Sequence, residues 1–141
     1  HLGGLETEQK ILERQKAYEP PGSGQFKIVD RKTGTGVGWV GFWERGSQDE
    51  RVYEIGWAVI PEFQGRGIAS KATGLLLELA RRERRWRYAH AYPSVTNGPS
   101  NALCQRLGFE LLGAYEFEYP PGTPMRCHDW RFDLLADRAR R

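Results

Sequence analysis

The spacing of apolar residues changes along the chain, and each change marks a new element. Between Gly67 and about Arg85, the residues Ile68, Ala72, Leu75, Leu76 and Leu79 recur every three or four positions. That spacing predicts an amphipathic helix with one buried stripe. Before it, Gln25 to Arg31, Val37 to Glu44 and Val52 to Ile60 read as strands, the last closed by Pro61. After it, Arg87 to Tyr92 predicts a short strand stopped by Pro93. Ser100 to Leu107 predicts a short helix that Gly108 ends. Leu111 to Tyr119 and Cys127 to Leu134 predict two more strands. Tyr115, Phe117 and Tyr119 alternate in the first, and Trp130, Phe132 and Leu134 in the second.

The segment Glu6 to Tyr18 reads as a helix, with Thr7 as its N-cap and Pro20-Pro21-Gly22-Ser23-Gly24 as its stop. Lys32-Thr33-Gly34-Thr35-Gly36 joins the first two strands as a hairpin turn. It superficially resembles a phosphate loop, but it has no Lys-Ser/Thr ending and no helix follows it. The order of elements predicts a mixed α/β (α+β) domain with a strand–helix–strand crossover at its centre. No repeat or low-complexity linker divides the 141 residues, so one domain is expected over 1–141, with a charged, frayed tail at 136–141.

Composition narrows the function. With 39% hydrophobic and 28% charged residues, a wholly disordered chain is excluded. Apolar runs are only a few residues long, so no transmembrane helix is expected, and no leader-like segment opens the chain. Net charge is +3, with 16 Arg against 5 Lys. That balance suits an anionic ligand and falls short of what a nucleic-acid partner calls for. The run Arg81-Arg82-Glu83-Arg84-Arg85-Trp86-Arg87 places cations at a helix C-terminus, where they are favourable; an RNA contact is the alternative. Cys104 and Cys127 form neither a disulfide framework nor a zinc spacing, so a reducing, cytoplasmic setting without metal is expected.

The segment with the clearest chemistry runs from Trp57 to Ser70: a strand end, a glycine-containing loop and a helix start. The first N–H groups of a helix lack intrahelical partners and, with the helix dipole, attract anions, phosphate above all. Gly65 and Gly67 permit close approach to the backbone, and Arg66 adds a cation. From spacing alone, a plain strand-to-helix turn reads equally well. The dinucleotide fingerprint does not fit, because its third glycine is absent.

Gln64-Gly65-Arg66-Gly67-Ile68-Ala69 resembles the Gln/Arg-x-x-Gly-x-Gly/Ala motif of the GNAT acyltransferase superfamily. Asn97-Gly98-Pro99-Ser100-Asn101-Ala102-Leu103-Cys104-Gln105-Arg106-Leu107-Gly108-Phe109 is similar to that family's second motif. Two motifs in the right order carry the resemblance over almost the whole chain, closest to the branch that acetylates ribosomal-protein N-termini. It implies the GNAT fold, a central twisted mixed sheet flanked by helices, and acetyl-CoA as co-substrate. It also implies that Gln64, Gly65, Arg66, Gly67, Ile68, Ala69 and Ser70 hold the pyrophosphate. Ala58, Val59 and Ile60 would pair with the pantetheine arm, Asn97 would hold that arm, and Cys104 would lie beside the donor.

The implied reaction is attack of a primary amine on the thioester in a ternary complex, with a backbone N–H near Val59 polarising the carbonyl. Glu54 stands where many relatives place a catalytic base; a plain salt-bridged strand residue is the equal alternative. His90 is a second titratable candidate, or a structural histidine. Relatives commonly place a Tyr that protonates the thiolate where this chain has Cys104; Ser100, one turn earlier, matches a serine proposed as the acid in the ribosomal-protein branch, with a helix N-cap as the equal reading and solvent as the other proton source. Relatives open with a strand and a helix ahead of the segment matching Glu6 to Tyr18, so either a longer chain or a trimmed version is expected. A protein N-terminus, a small amine metabolite and an aminoglycoside-like antibiotic all remain open as acceptors, as do monomer and homodimer. A non-catalytic acyl-CoA-binding module is the alternative function, and an RNA-binding domain a weaker one.

Overall fold

The computed structural model describes residues 10–14, 23–46, 50–118 and 121–136. Its strands are Lys10–Arg14 (β1), Gly24–Asp30 (β2), Gly36–Arg45 (β3), Val52–Val59 (β4), Tyr88–Ala91 (β5), Glu110–Glu118 (β6) and Pro124–Asp133 (β7). Its helices are Ile68–Glu83 (α1) and Gly98–Leu107 (α2), and a 3₁₀ turn at Pro61–Phe63 links β4 to α1. The strands form one sheet in the order β1-β2-β3-β4-β5-β7-β6. Every pairing is antiparallel except β4 with β5, the pair that α1 bridges as a crossover. The mixed sheet expected from the element order is therefore present.

Alternation along each strand assigns the two faces of the sheet. Phe26 and Ile28 on β2, Val40 and Phe42 on β3, Tyr53 and Ile55 on β4, Ala89 and Ala91 on β5, and Trp130 and Phe132 on β7 are all buried. They form one core with Ile68, Ala72, Leu76, Leu77 and Ala80 of α1 and Cys104 of α2. The predicted stripe of α1 is confirmed in Ile68, Ala72 and Leu76, while Leu75 and Leu79 pack half-buried at its margin. The opposite face carries Trp39, Trp43 and Arg45 of β3, Glu54, Gly56 and Ala58 of β4, and His90 and Tyr92 at β5.

The hairpin between β2 and β3 turns where the Lys32 to Gly36 segment predicted. The Asp30 carbonyl accepts the N–H of Gly34, which sits at φ +73°, and the Asp30 carboxylate accepts the N–H of Lys32. One expectation is overturned. The described part of the Glu6 to Tyr18 segment is the strand β1, antiparallel to β2 with Lys10 opposite Asp30; the rest lies outside the described residues. An edge of β2 that satisfies backbone donors and acceptors outweighs a weak helical pattern. The arginine run closing α1 is tied down locally. Arg81 donates to the carbonyls of Leu134 and Ala136, Arg85 pairs with Glu44, and Arg87 pairs with Asp133. No helix among the described residues is long and apolar enough to cross a membrane.

Candidate functional site

The site follows from how β4 leaves the sheet. β4 pairs with β3 along its whole length, but with β5 only at Tyr53↔Ala89 and Glu54↔His90. Beyond Glu54 the two parallel strands part. The Ile60 N–H donates to Val37 on the β3 side, so alternation turns the backbone groups of Val59 and Trp57 the other way, into the gap. A strand edge with no partner strand thus lines the cleft. The Gln64 side chain folds back to donate to the Val59 carbonyl at 2.8 Å, at the end of that edge.

Below the edge, α1 begins. Its N-cap is Gly67 at φ +77°, which has no side chain to cap the helix, so the N–H groups of Ile68, Ala69 and Ser70 face outward without a capping acceptor. Gly65 also sits at φ +77°. Both occupy the left-handed region that disfavours other residues, and a Cβ at either would meet nothing within 4 Å. Open space above exposed N–H groups at the positive end of a helix dipole fits a pyrophosphate. Arg66 lies back over its own turn, donating to the Glu62 carbonyl and stacking on the Phe63 ring 4.9 Å away. Arg106 of α2 instead reaches this helix start and donates to the Ser70 hydroxyl at 2.8 Å. Sequence reasoning missed Arg106, because only the packing of α2 on α1 brings it there.

The far wall of the cleft is α2. Asn97 is its N-cap, accepting the N–H of Ser100 at 3.1 Å. Ser100 is therefore not the N-cap; it stands in the first turn and its hydroxyl accepts from Trp57 Nε1 at 3.3 Å, which links α2 to β4. Asn101, also missed, is the anchor of this wall. It donates to the carbonyls of Ser94 and Asn97, while its Oδ1 accepts from Trp130 Nε1 at 2.8 Å and lies 2.7 Å from His128 Nδ1. Cys104 has no exposed surface and lies in the core, where burial pushes its thiol up to about 12. It packs as a small apolar group.

At the vertex where β4 and β5 meet, polar side chains converge on the face opposite the helices. Glu54 pairs with Arg45 at 2.8 Å. The Arg45 guanidinium lies 4.8 Å from the Tyr92 ring centre, and the hydrogen bond it donates to Glu54 tightens its hold on its proton. His90 Nδ1 lies 2.6 Å from Asp129 Oδ1, and the His90 ring stacks on Tyr92. Burial, with Asp129 nearby, pushes the Tyr92 hydroxyl up to about 12. Trp39 and Trp43 extend this face, and a Cβ on Gly56 would press against both indole rings at 3.2 Å.

A crossover helix capped by glycine beneath a parted parallel strand pair leaves an open strand edge and an uncapped helix start side by side between β4, α1 and α2. The family is specific: a model for the acetyltransferase (GNAT) domain matches residues 5–110, and the chain belongs to that family. A curated relative, the uncharacterised N-acetyltransferase YnaD of Bacillus subtilis (strain 168), is 28% identical over 99 residues. That match covers 70% of this chain and 57% of YnaD. Among solved structures, the ribosomal-protein-S5-alanine acetyltransferase of Vibrio fischeri superposes with a TM-score of 0.73 at 18% identity, covering 80% of this chain and 62% of that one. RimL, a ribosomal L7/L12 alpha-N-protein acetyltransferase solved with coenzyme A, superposes with a TM-score of 0.70 at 24% identity, covering 82% and 64%. The chain thus spans about three fifths of the length of these relatives.

Proposed function

We propose that this chain transfers an acetyl group from acetyl-CoA to a primary amine by direct attack in a ternary complex. The observation that carries this reading is the unpaired β4 edge, which ends directly before the uncapped N–H groups of α1. The edge suits an extended amide-bearing arm, added like a further strand along Ala58, Val59 and Ile60. The helix start suits the pyrophosphate, held by Gln64 to Ser70 with Arg106 alongside. Asn97, whose carbonyl oxygen caps α2, keeps its amide nitrogen for the pantetheine arm. RimL, a similar fold, is described with coenzyme A bound, which agrees with this assignment.

Within that frame the chain's residues divide the work. The N–H groups of Trp57 and Val59, turned into the gap, are the donors available to a thioester carbonyl. Attack requires a neutral amine, so a base must take a proton. Two candidates stand at the vertex, Glu54, which is engaged by Arg45, and His90. Ser100 accepts from Trp57, which leaves its own hydroxyl proton available to the departing thiolate. The open face with Trp39 and Trp43 admits the acceptor. A reducing, cytoplasmic setting belongs to this reading, since Cys104 and Cys127 are both buried and unpaired.

One observation favours a second reading, a non-catalytic acyl-CoA-binding module: Cys104, at the position where relatives place an acidic Tyr, is sealed in the core. Release of CoA thiol from acetyl-CoA separates the two. The acceptors are a peptide with a free N-terminal serine, spermidine and kanamycin. Amine-dependent release supports the enzyme; tight donor binding without release from any of the three favours the module.

A further inference from the structure

The vertex of the cleft holds a second titratable group with better geometry for proton abstraction than Glu54. Glu54 is committed to Arg45 at 2.8 Å. His90, directly opposite Glu54 in the parallel register, is set differently. Its Nδ1 lies 2.6 Å from Asp129 Oδ1, with side-chain exposures of only 12% and 15%. A carboxylate oxygen accepts from Nδ1–H, and in the neutral ring that tautomer has its lone pair on Nε2. Among the described residues Nε2 has no hydrogen-bond partner. Tyr92, stacked on the ring at 5.9 Å between centres and nearly parallel to it, limits its rotation. A histidine fixed by a carboxylate, on the strand opposite Glu54 where β4 and β5 begin to part, is the arrangement of an oriented general base.

We infer that His90, held by Asp129, is the base that removes the proton from the acceptor ammonium, while the Glu54–Arg45 pair is a fixed electrostatic element of the acceptor face. This rests on the proposed acetyl transfer and names the residue that initiates it. The ammonium gives one proton to His90 Nε2, directly or through one water. The freed amine lone pair forms the N–C bond to the thioester carbonyl carbon. The C–S bond breaks, its electron pair leaves with sulfur, and the thiolate takes up a proton. The new amide gives up its remaining extra proton to solvent, and His90 returns its own. An amine cation and acetyl thioester thus become an acetamide, a thiol and one released proton, with no redox change.

The groups that set the field at His90 come from every neighbouring strand. Arg45 lies on β3, Glu54 on β4 and Tyr92 just past β5. Asp129 and Arg131 lie on β7, with Arg131 opposite His90 and paired with Glu110 of β6. Tyr115 of β6 reaches over Gly113, which pairs with Asp129. A role for His90 in catalysis is therefore read by pH profile and rescue, which a purely structural histidine does not produce.

The experiment uses the 141-residue chain, acetyl-CoA and the same three amines, with thiol release followed from pH 5.5 to 9.5. Calorimetry on each variant reports acetyl-CoA binding separately. Expected for His90→Gln is a fall in kcat of at least 100-fold, loss of the limb that rises with pH, and donor affinity within twofold of the parent. Asp129→Asn is expected to lose about tenfold and Glu54→Gln to keep the limb. His90→Ala with added imidazole is expected to recover activity in proportion to the imidazole base, and a thermal melt confirms that each variant is folded. Retention of rate and limb in folded His90→Gln, or loss of the limb in Glu54→Gln instead, overturns the assignment. No imidazole rescue in a folded His90→Ala also overturns it. Donor binding with no amine-dependent release at any pH overturns both this inference and the enzymatic reading, whereas absent donor binding overturns the donor site as well.

Discussion

The two ends of the cleft are built from different materials. The end proposed for the donor is made almost wholly of backbone: an unpaired strand edge, two glycines at φ +77° and the uncapped start of α1. The vertex end is made of side chains from β3, β4, β5 and β7, each placed by register: Arg45, Glu54, His90 and Asp129. A backbone site tolerates change in side chains but not in conformation. A side-chain site depends on each neighbour and is free to change between proteins that share one fold.

The largest test of this contrast is at Gly67. Val at this position must adopt φ +77°, which costs about 1–2 kcal/mol, and its Cβ stands in the space above the exposed N–H groups. Gly67→Val is expected to weaken acetyl-CoA binding by about 100-fold or more in calorimetry. A loss of melting temperature alone, with affinity intact, breaks the account of the donor end. Next is the vertex: His90→Gln is expected to lower turnover by roughly 10²- to 10⁴-fold and leave donor affinity unchanged. If it lowers both together, the two ends are not separate devices.

A smaller effect is expected at Asn97, which caps α2 and is proposed to hold the donor arm. Asn97→Ala should cost about 1 kcal/mol of stability by thermal melt and weaken acetyl-CoA measurably. Loss of stability without any change in affinity confines Asn97 to capping.

Cys104 tests the wall between the ends. Its folded value, raised by burial to about 12, lies above the ordinary 9.0. The stability it contributes is complete below pH 9 and is lost as pH rises toward 12, because only the unfolded thiol ionises in that window. Cys104→Ala should flatten this alkaline loss in denaturant titrations, and an unchanged slope contradicts the buried assignment. The smallest effect is expected at Gln64→Ala. It frees the Val59 carbonyl but should change stability by no more than about 0.5 kcal/mol.

The strand-to-helix turn proposed for the donor was legible in the chain because it is local. Gln64 to Ala69 is one contiguous segment, and the switch from strand alternation to the spacing of Ile68, Ala72 and Leu76 marks where the helix and its exposed N–H groups begin. The elements after Gly24 were legible for the same reason, each set by its own periodicity and by Pro or Gly at its ends. Lys10–Arg14 was misread because its helical pattern is weak and its pairing with β2 is a tertiary contact. The vertex was only half legible. Glu54 and His90 are visible as single titratable residues, but nothing local shows that the β4–β5 register sets them side by side, or that Asp129, 39 residues beyond His90, fixes its ring. Arg106 at the start of α1 was hidden likewise, since the packing of two helices puts it there.

The parted β4 edge and the start of α1 are proposed to form one acetyl-CoA site. Calorimetric titration of the chain with acetyl-CoA, beside dephospho-CoA, CoA and the Gly67→Val variant, tests it most directly. The account predicts micromolar or tighter binding by the parent and loss of that binding in folded Gly67→Val. No binding by the folded parent, or equal binding by both proteins, contradicts it.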